Sequence, residues 1–104
     1  MATDFVRRSD ERLKTDVVPL NANARLNPVR FVWIEDGTPD IGFLAGQIEE
    51  AYPEAVRLFE IDGVVYKAVA YDKLTAVLAA QLNYAMTQIE ELRKEIDEIK
   101  KANS

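Results

Sequence analysis

Leu78-Ala79-Ala80-Gln81-Leu82-Asn83-Tyr84-Ala85-Met86-Thr87-Gln88-Ile89-Glu90-Glu91-Leu92-Arg93-Lys94-Glu95-Ile96-Asp97-Glu98-Ile99 is the stretch that decides the fold. Its apolar residues recur at Leu78, Leu82, Ala85, Ile89, Leu92, Ile96 and Ile99, in steps that alternate between four and three. That alternation is a heptad: Leu82, Ile89 and Ile96 fall at a, and Leu78, Ala85, Leu92 and Ile99 at d. From Tyr71 onward the chain has neither glycine nor proline. The pattern therefore predicts one helix from about Tyr71 to Lys101, on the order of 45 Å long. A compact domain of this size has a radius of gyration of only about 13 Å. The helix outruns anything its own chain can cover, so its seam must meet another chain or another part of a larger protein. In the first turns Val77, Leu78 and Tyr84 spread over a wide face, where packing on the chain itself competes with association. From Ile89 to Ile99 only the narrow a/d seam is apolar. Glu95 at g and Lys100 at the next e can pair between parallel chains, worth ~0.5 kcal/mol when exposed. The heptads leave the copy number open. Ile at a with Leu at d favours dimers and Ile at both favours higher states, and Leu92 and Ile99 supply one of each at d.

Upstream the period shortens. Val56–Ile61 and Val64–Ala70 read as two strands joined by Asp62-Gly63, a dipeptide suited to a two-residue hairpin turn. Val29–Ile34, rich in Val, Phe, Trp and Ile, reads as another strand. Asp36-Gly37 is a hairpin-type turn leading to a short apolar segment, Ile41–Leu44. Ala45–Tyr52 reads as a helix ended by Pro53. Asn21–Leu26 reads as a short helix capped by Asn21 and stopped by Pro28. Residues 1–20 are charged and irregular. The expected class is α+β: a small globular part with β-hairpins, followed by the long C-terminal helix. The expected division is a residual upstream segment at 1–8, a globular region at 9–70 and the helix at 71–104.

Composition removes several functions. The 104 residues hold no cysteine and no histidine. That excludes a disulfide framework, a thiol nucleophile, and the usual general base and metal ligand. No cofactor is expected, and a zinc site of carboxylates alone would be unusual. Eighteen acidic residues against 13 basic ones, net charge −5, argue against non-specific nucleic-acid binding. No apolar run approaches the ~20 residues that span a bilayer, and Met1 to Arg8 lacks the apolar core of a secretory signal. Neither nucleic acid nor membrane is an expected partner.

Hydrolytic chemistry would then rest on Ser, Thr, Lys or carboxylates. Ser9-Asp10-Glu11-Arg12-Leu13-Lys14 places a serine and a lysine five positions apart. A neutral lysine amine can take the proton of a serine hydroxyl. On a strand such residues point to opposite faces, and on a helix they sit well apart, so only a turn would bring them together. By spacing alone the segment reads as a solvated charged stretch.

The same six residues resemble the opening signature of the C-terminal intramolecular chaperone auto-processing domain. That domain ends many bacteriophage tailspikes, tail fibres and neck appendages. Further likenesses follow in order. Pro28-Val29-Arg30-Phe31-Val32-Trp33 resembles the family's first core strand. Ile41-Gly42-Phe43-Leu44-Ala45 with Gln47, Ile48 and Glu49 resembles its helix start, with Gly46 as an insertion between Ala45 and Gln47. Tyr52-Pro53-Glu54-Ala55-Val56 is similar to its Pro-Glu step, and Val69, Tyr71 and Leu74 to its strand-to-helix junction. The resemblance runs from Ser9 to about Lys101.

What it implies is specific. The helix would form a parallel homotrimer through Leu78, Leu82, Ala85, Ile89, Leu92, Ile96 and Ile99. The domain would align three upstream passenger chains in cis, assist their folding into a fibre or spike, and cut itself off at Arg8–Ser9. Ser9 would be the nucleophile and Lys14 its base, in a single-turnover serine peptidase. The setting implied is the host cytoplasm during virion assembly, with the domain absent from the mature particle. For Lys14 to serve near pH 7, the ordinary lysine value of ~10.4 must fall by about three units, or about 4 kcal/mol. Desolvation at an oligomer interface is a plausible source. Asp10 and Glu11 would oppose that fall if they paired with Lys14, so they are expected to face Arg12 or Arg25. Two other readings stand beside this one: a trimeric coiled-coil module with an idle Ser9–Lys14 pair, and a helical adaptor unrelated to phage.

Overall fold

The computed structural model describes residues 8–104. Met1 to Arg7, most of the expected upstream segment, lie outside the described residues. After a short 3-10 turn at Glu11–Leu13, the order is β1 (Val29–Val32), β2 (Pro39–Gly42), α1 (Ala45–Ala51), a 3-10 turn at Pro53–Ala55, β3 (Val56–Ile61), β4 (Val64–Val69) and α2 (Tyr71–Ala102). The class is α+β, with two separate two-stranded antiparallel sheets, β1–β2 and β3–β4.

The second hairpin follows its turn chemistry closely. Asp62 and Gly63 both have positive φ, 51° and 81°, as a two-residue turn matched to strand twist requires. Val56 then opposes Val69 and Ile61 opposes Val64. The first hairpin is shorter than its apolar residues suggest. Trp33 donates its backbone N–H to Thr38 at 2.9 Å, and its carbonyl accepts from Gly37 at 2.8 Å. The ladder therefore gives way to the turn after Val32. At the far end the Phe43 N–H donates to the Tyr71 hydroxyl at 3.2 Å, so β2 stops at Gly42. Gly42 also leaves room for that hydroxyl: a Cβ there would lie 2.5 Å from it.

The expected helix at Asn21–Leu26 is not formed; no regular element is assigned there. Its carbonyls are used by distant side chains instead. The Tyr52 hydroxyl donates to the Asn21 carbonyl at 2.7 Å, and Gln81 Nε2 to the Ala24 carbonyl at 2.5 Å. Asn21 does turn the chain locally, its side chain accepting the Asn23 N–H at 3.1 Å. The capping residue was legible, but tertiary partners outcompete the helix that would follow it.

The buried core consists of Ile48, Tyr52, Ala55, Leu74 and Val77, flanked by Ala24, Leu26, Phe43, Ala51, Val56 and Val69. Only the first turns of α2 contribute to it. Beyond Gln81 every residue of the helix is exposed. The consequence is an elongated molecule of 70 × 42 × 25 Å with a radius of gyration of 19.7 Å, against about 13 Å for a compact domain of this length.

Candidate functional site

The turn at Glu11–Leu13 resolves the spacing problem posed by Ser9 and Lys14. A 3-10 helix rises about 2 Å per residue, so residues flanking a single turn of it stay within side-chain reach. Leu13 N–H donates to the Asp10 carbonyl at 3.0 Å and Lys14 N–H to the Glu11 carbonyl at 3.1 Å. These bonds close the turn, and Lys14 Nζ then donates to Ser9 Oγ at 2.7 Å. Arg8, Ser9 and Lys14 are all exposed.

Asp10 sets the geometry. It caps the turn, its Oδ1 accepting the Arg12 N–H at 2.9 Å. The Arg12 guanidinium closes onto the same carboxylate, Nε on Oδ1 at 3.0 Å and Nη2 on Oδ2 at 2.8 Å. The side-chain bond to Arg12 is the main reason the Asp10 carboxyl is held below its ordinary range, with the Arg12 N–H adding to it. Asp10 thus faces Arg12, one of the two cations the sequence offered it.

Ser9 and Lys14 line an open cavity of about 680 Å³. Its other walls come from later in the chain: Tyr52 and Glu54 around Pro53, and Asp72, Lys73 and Thr75 at the start of α2. Sequence reading did not connect these residues with Ser9, because no local spacing relates them to it. The Pro53-Glu54 step was visible only as a feature of resemblance.

The seven seam residues, Leu78, Leu82, Ala85, Ile89, Leu92, Ile96 and Ile99, are all on α2 and all exposed. They occupy a stripe next to, and distinct from, the one formed by Leu74, Val77 and Gln81, which faces the chain itself. Among the described residues no cluster of acidic side chains could hold a metal ion, and no helix is long and apolar enough to cross a membrane.

Residues 9–57 match the family model Peptidase_S74, described as chaperone of endosialidase. This segment is similar to the endosialidase-chaperone family. The family carries both a peptidase name and a chaperone description, and its match begins at Ser9, the first residue of the Ser9–Lys14 turn. The chaperone match closes at Arg57, inside β3, ahead of the second turn and the whole of α2. No curated protein matches the chain.

Proposed function

We propose that this chain is an intramolecular chaperone that trimerises through α2, assists an upstream passenger in cis, and then releases itself by cutting Arg8–Ser9. The observation that carries the reading is the 2.7 Å contact between Lys14 Nζ and Ser9 Oγ at the first residues of the family match. The bare seam of α2 supports the assembly half of it. The setting we propose is the host cytoplasm during virion assembly.

The chemistry is an acyl shift followed by hydrolysis. Once Lys14 has lost its proton, the direction of the contact reverses and Ser9 donates its hydroxyl hydrogen to the amine. Ser9 Oγ attacks the Arg8 carbonyl carbon. The bond from that carbon to Ser9 N breaks, and Lys14 returns the proton to the departing amine. Arg8 is then held as an ester on Ser9 Oγ. Water cleaves the ester, leaving Arg8 with a free carboxylate and restoring the Ser9 hydroxyl. In a monomer the pair faces solvent. Trimer assembly and the passenger supply the desolvation that lowers the amine's preference for its proton.

A passenger matters because extended β-fibres fold slowly and expose strand edges meanwhile. A helical trimer at one end aligns three chains and raises their effective concentration. Removing it afterwards leaves a product that cannot unfold along its folding path. The test is the mass of a passenger-bearing chain. The parent should yield a product ending at Arg8 and one beginning at Ser9. Ser9→Ala should remain whole while assembling normally. A Ser9→Ala chain cut at the parent rate would remove Ser9 from its role, and an uncut parent would favour an assembly module with an idle pair.

A further inference from the structure

Around the Ser9–Lys14 turn lie two carboxylates, Asp10 and Glu11, and two cations, Arg12 and Lys14. Only one pairing between them is closed, Asp10 with Arg12. It uses both carboxylate oxygens: Oδ1 takes the Arg12 backbone N–H and Nε, and Oδ2 takes Nη2. Asp10 caps the turn and Lys14 follows it, so the two flank a single turn about 6 Å long. That is well within the sweep of a lysine side chain. Without the guanidinium, the Asp10 carboxylate would be free to swing onto Lys14. A carboxylate paired with the ammonium favours its charged form, the form that cannot take the serine proton.

We propose that Arg12 is a positioning residue of the self-cleavage reaction: by holding both oxygens of Asp10, it withholds that carboxylate from Lys14 and leaves the amine to Ser9. The inference rests on the self-cleavage reading above. It gives Arg12 a role distinct from simply tightening the turn, since the cap bond from Asp10 to the Arg12 N–H needs no guanidinium. Arg12 is well suited to it. A planar fork engages both oxygens at once and stays charged at any working pH. Asp10 held ionised by Arg12 is consistent with a pairing that persists through the neutral range.

Other titratable groups share the segment or the cavity of Lys14. Glu11 and Asp16 lie on its own segment, and Tyr52, Glu54, Asp72 and Lys73 line the cavity from the elements packed against it. All remain in place in the variants below, so a difference between those variants reports on Asp10.

The experiment measures cleavage rate against pH for a passenger-bearing chain in three forms: parent, Arg12→Gln and Asp10→Asn/Arg12→Gln. Arg12→Gln should slow cleavage at pH 7 about tenfold and move the rise of the profile up by about one pH unit. The double variant keeps a capping side chain in Asn but lacks the competing charge. Its profile should return to the parent position, with most of the rate recovered. If Arg12→Gln loses rate with no shift in its profile, or if the double variant is no faster than Arg12→Gln, Arg12 acts only through the turn and the proposal is overturned. Thermal melting of all three forms guards against misfolding, which is not expected at a site where the Arg12 side chain is 87% exposed. A parent that is never cut, or a Ser9→Ala chain that is, overturns the self-cleavage reading as well. A parent cut only when Ser9 is present, with no shift in Arg12→Gln, overturns this inference alone.

Discussion

The two ends of α2 belong to one continuous helix and meet different fates. Its first turns bury Leu74 and Val77, each 3% exposed, against Ile48, Tyr52 and Ala55. Its remainder leaves Leu82, Ile89, Leu92, Ile96 and Ile99 between 49% and 62% exposed. The early turns are part of the chain's own core, and the later ones carry an apolar stripe that none of the described residues covers. Water contact along such a stripe is costly, at about 25 cal/mol per Å² of apolar surface. The difference teaches that one helix holds two separable parts: an anchor packed into the globular part, and a rod whose exposed apolar stripe we propose pairs with other copies.

The strongest way to break this division is a charge in the rod. Ile89→Asp should abolish assembly, because carboxylates would be brought together on a desolvated axis. Sedimentation equilibrium at micromolar concentration should show a monomer for the variant and a trimer for the parent. Normal assembly of the variant would show that the stripe is not the interface. The converse change sits in the anchor. Leu74→Ala should cost about 2–5 kcal/mol of domain stability while the stripe itself remains untouched. Its melting temperature should fall by about 8 to 40 degrees, and loss of assembly without loss of stability would contradict the division. A smaller effect is expected where the first hairpin is latched to the anchor. Gly42→Ala forces the Tyr71 hydroxyl to move, and small-to-large changes of this kind cost about 1–3 kcal/mol; a melt unchanged from the parent would show that the latch carries no weight. The smallest effect is electrostatic. The Asp36 carboxyl is held below its ordinary value of 3.8, chiefly by its side-chain hydrogen bond with Thr38. A lowered folded value means that this contribution is present above the unfolded value and lost as pH falls through the folded one. The Thr38 amide resonance should therefore titrate with a midpoint below 3.8, and a midpoint at or above that value would contradict the contact.

Elements with local determinants were legible in the sequence. The Asp62-Gly63 turn set the register of β3 and β4, and the absence of glycine and proline from Tyr71 onward, together with the heptad, marked out α2. The Asn21–Leu26 segment was not legible, because Tyr52 and Gln81, far along the chain, take its carbonyls. β2 was displaced from Ile41–Leu44 to Pro39–Gly42 for a similar reason: the Tyr71 hydroxyl takes the amide that would have extended it. At the candidate site, Ser9 and Lys14 were visible as residue types, and the need for a turn between them was visible too. The turn itself depends on Asp10 capping it, which the residue order permits but does not compel. Glu54, Asp72, Lys73 and Thr75 were out of reach, since only the packing of α2 against Pro53–Ala55 brings them to the cavity.

The central claim is that the rod's assembly and the turn's chemistry belong to one device. It is tested most directly by the cleavage rate of a passenger-bearing chain measured across the concentration range in which the chain passes from monomer to trimer. If the exposed Ser9–Lys14 pair needs an assembled environment, the rate follows the trimer fraction, and weakening the stripe at Leu92 or Ile96 moves both curves together. A rate independent of concentration through that transition would contradict the account, and would make Ser9 and Lys14 a self-sufficient pair within one chain.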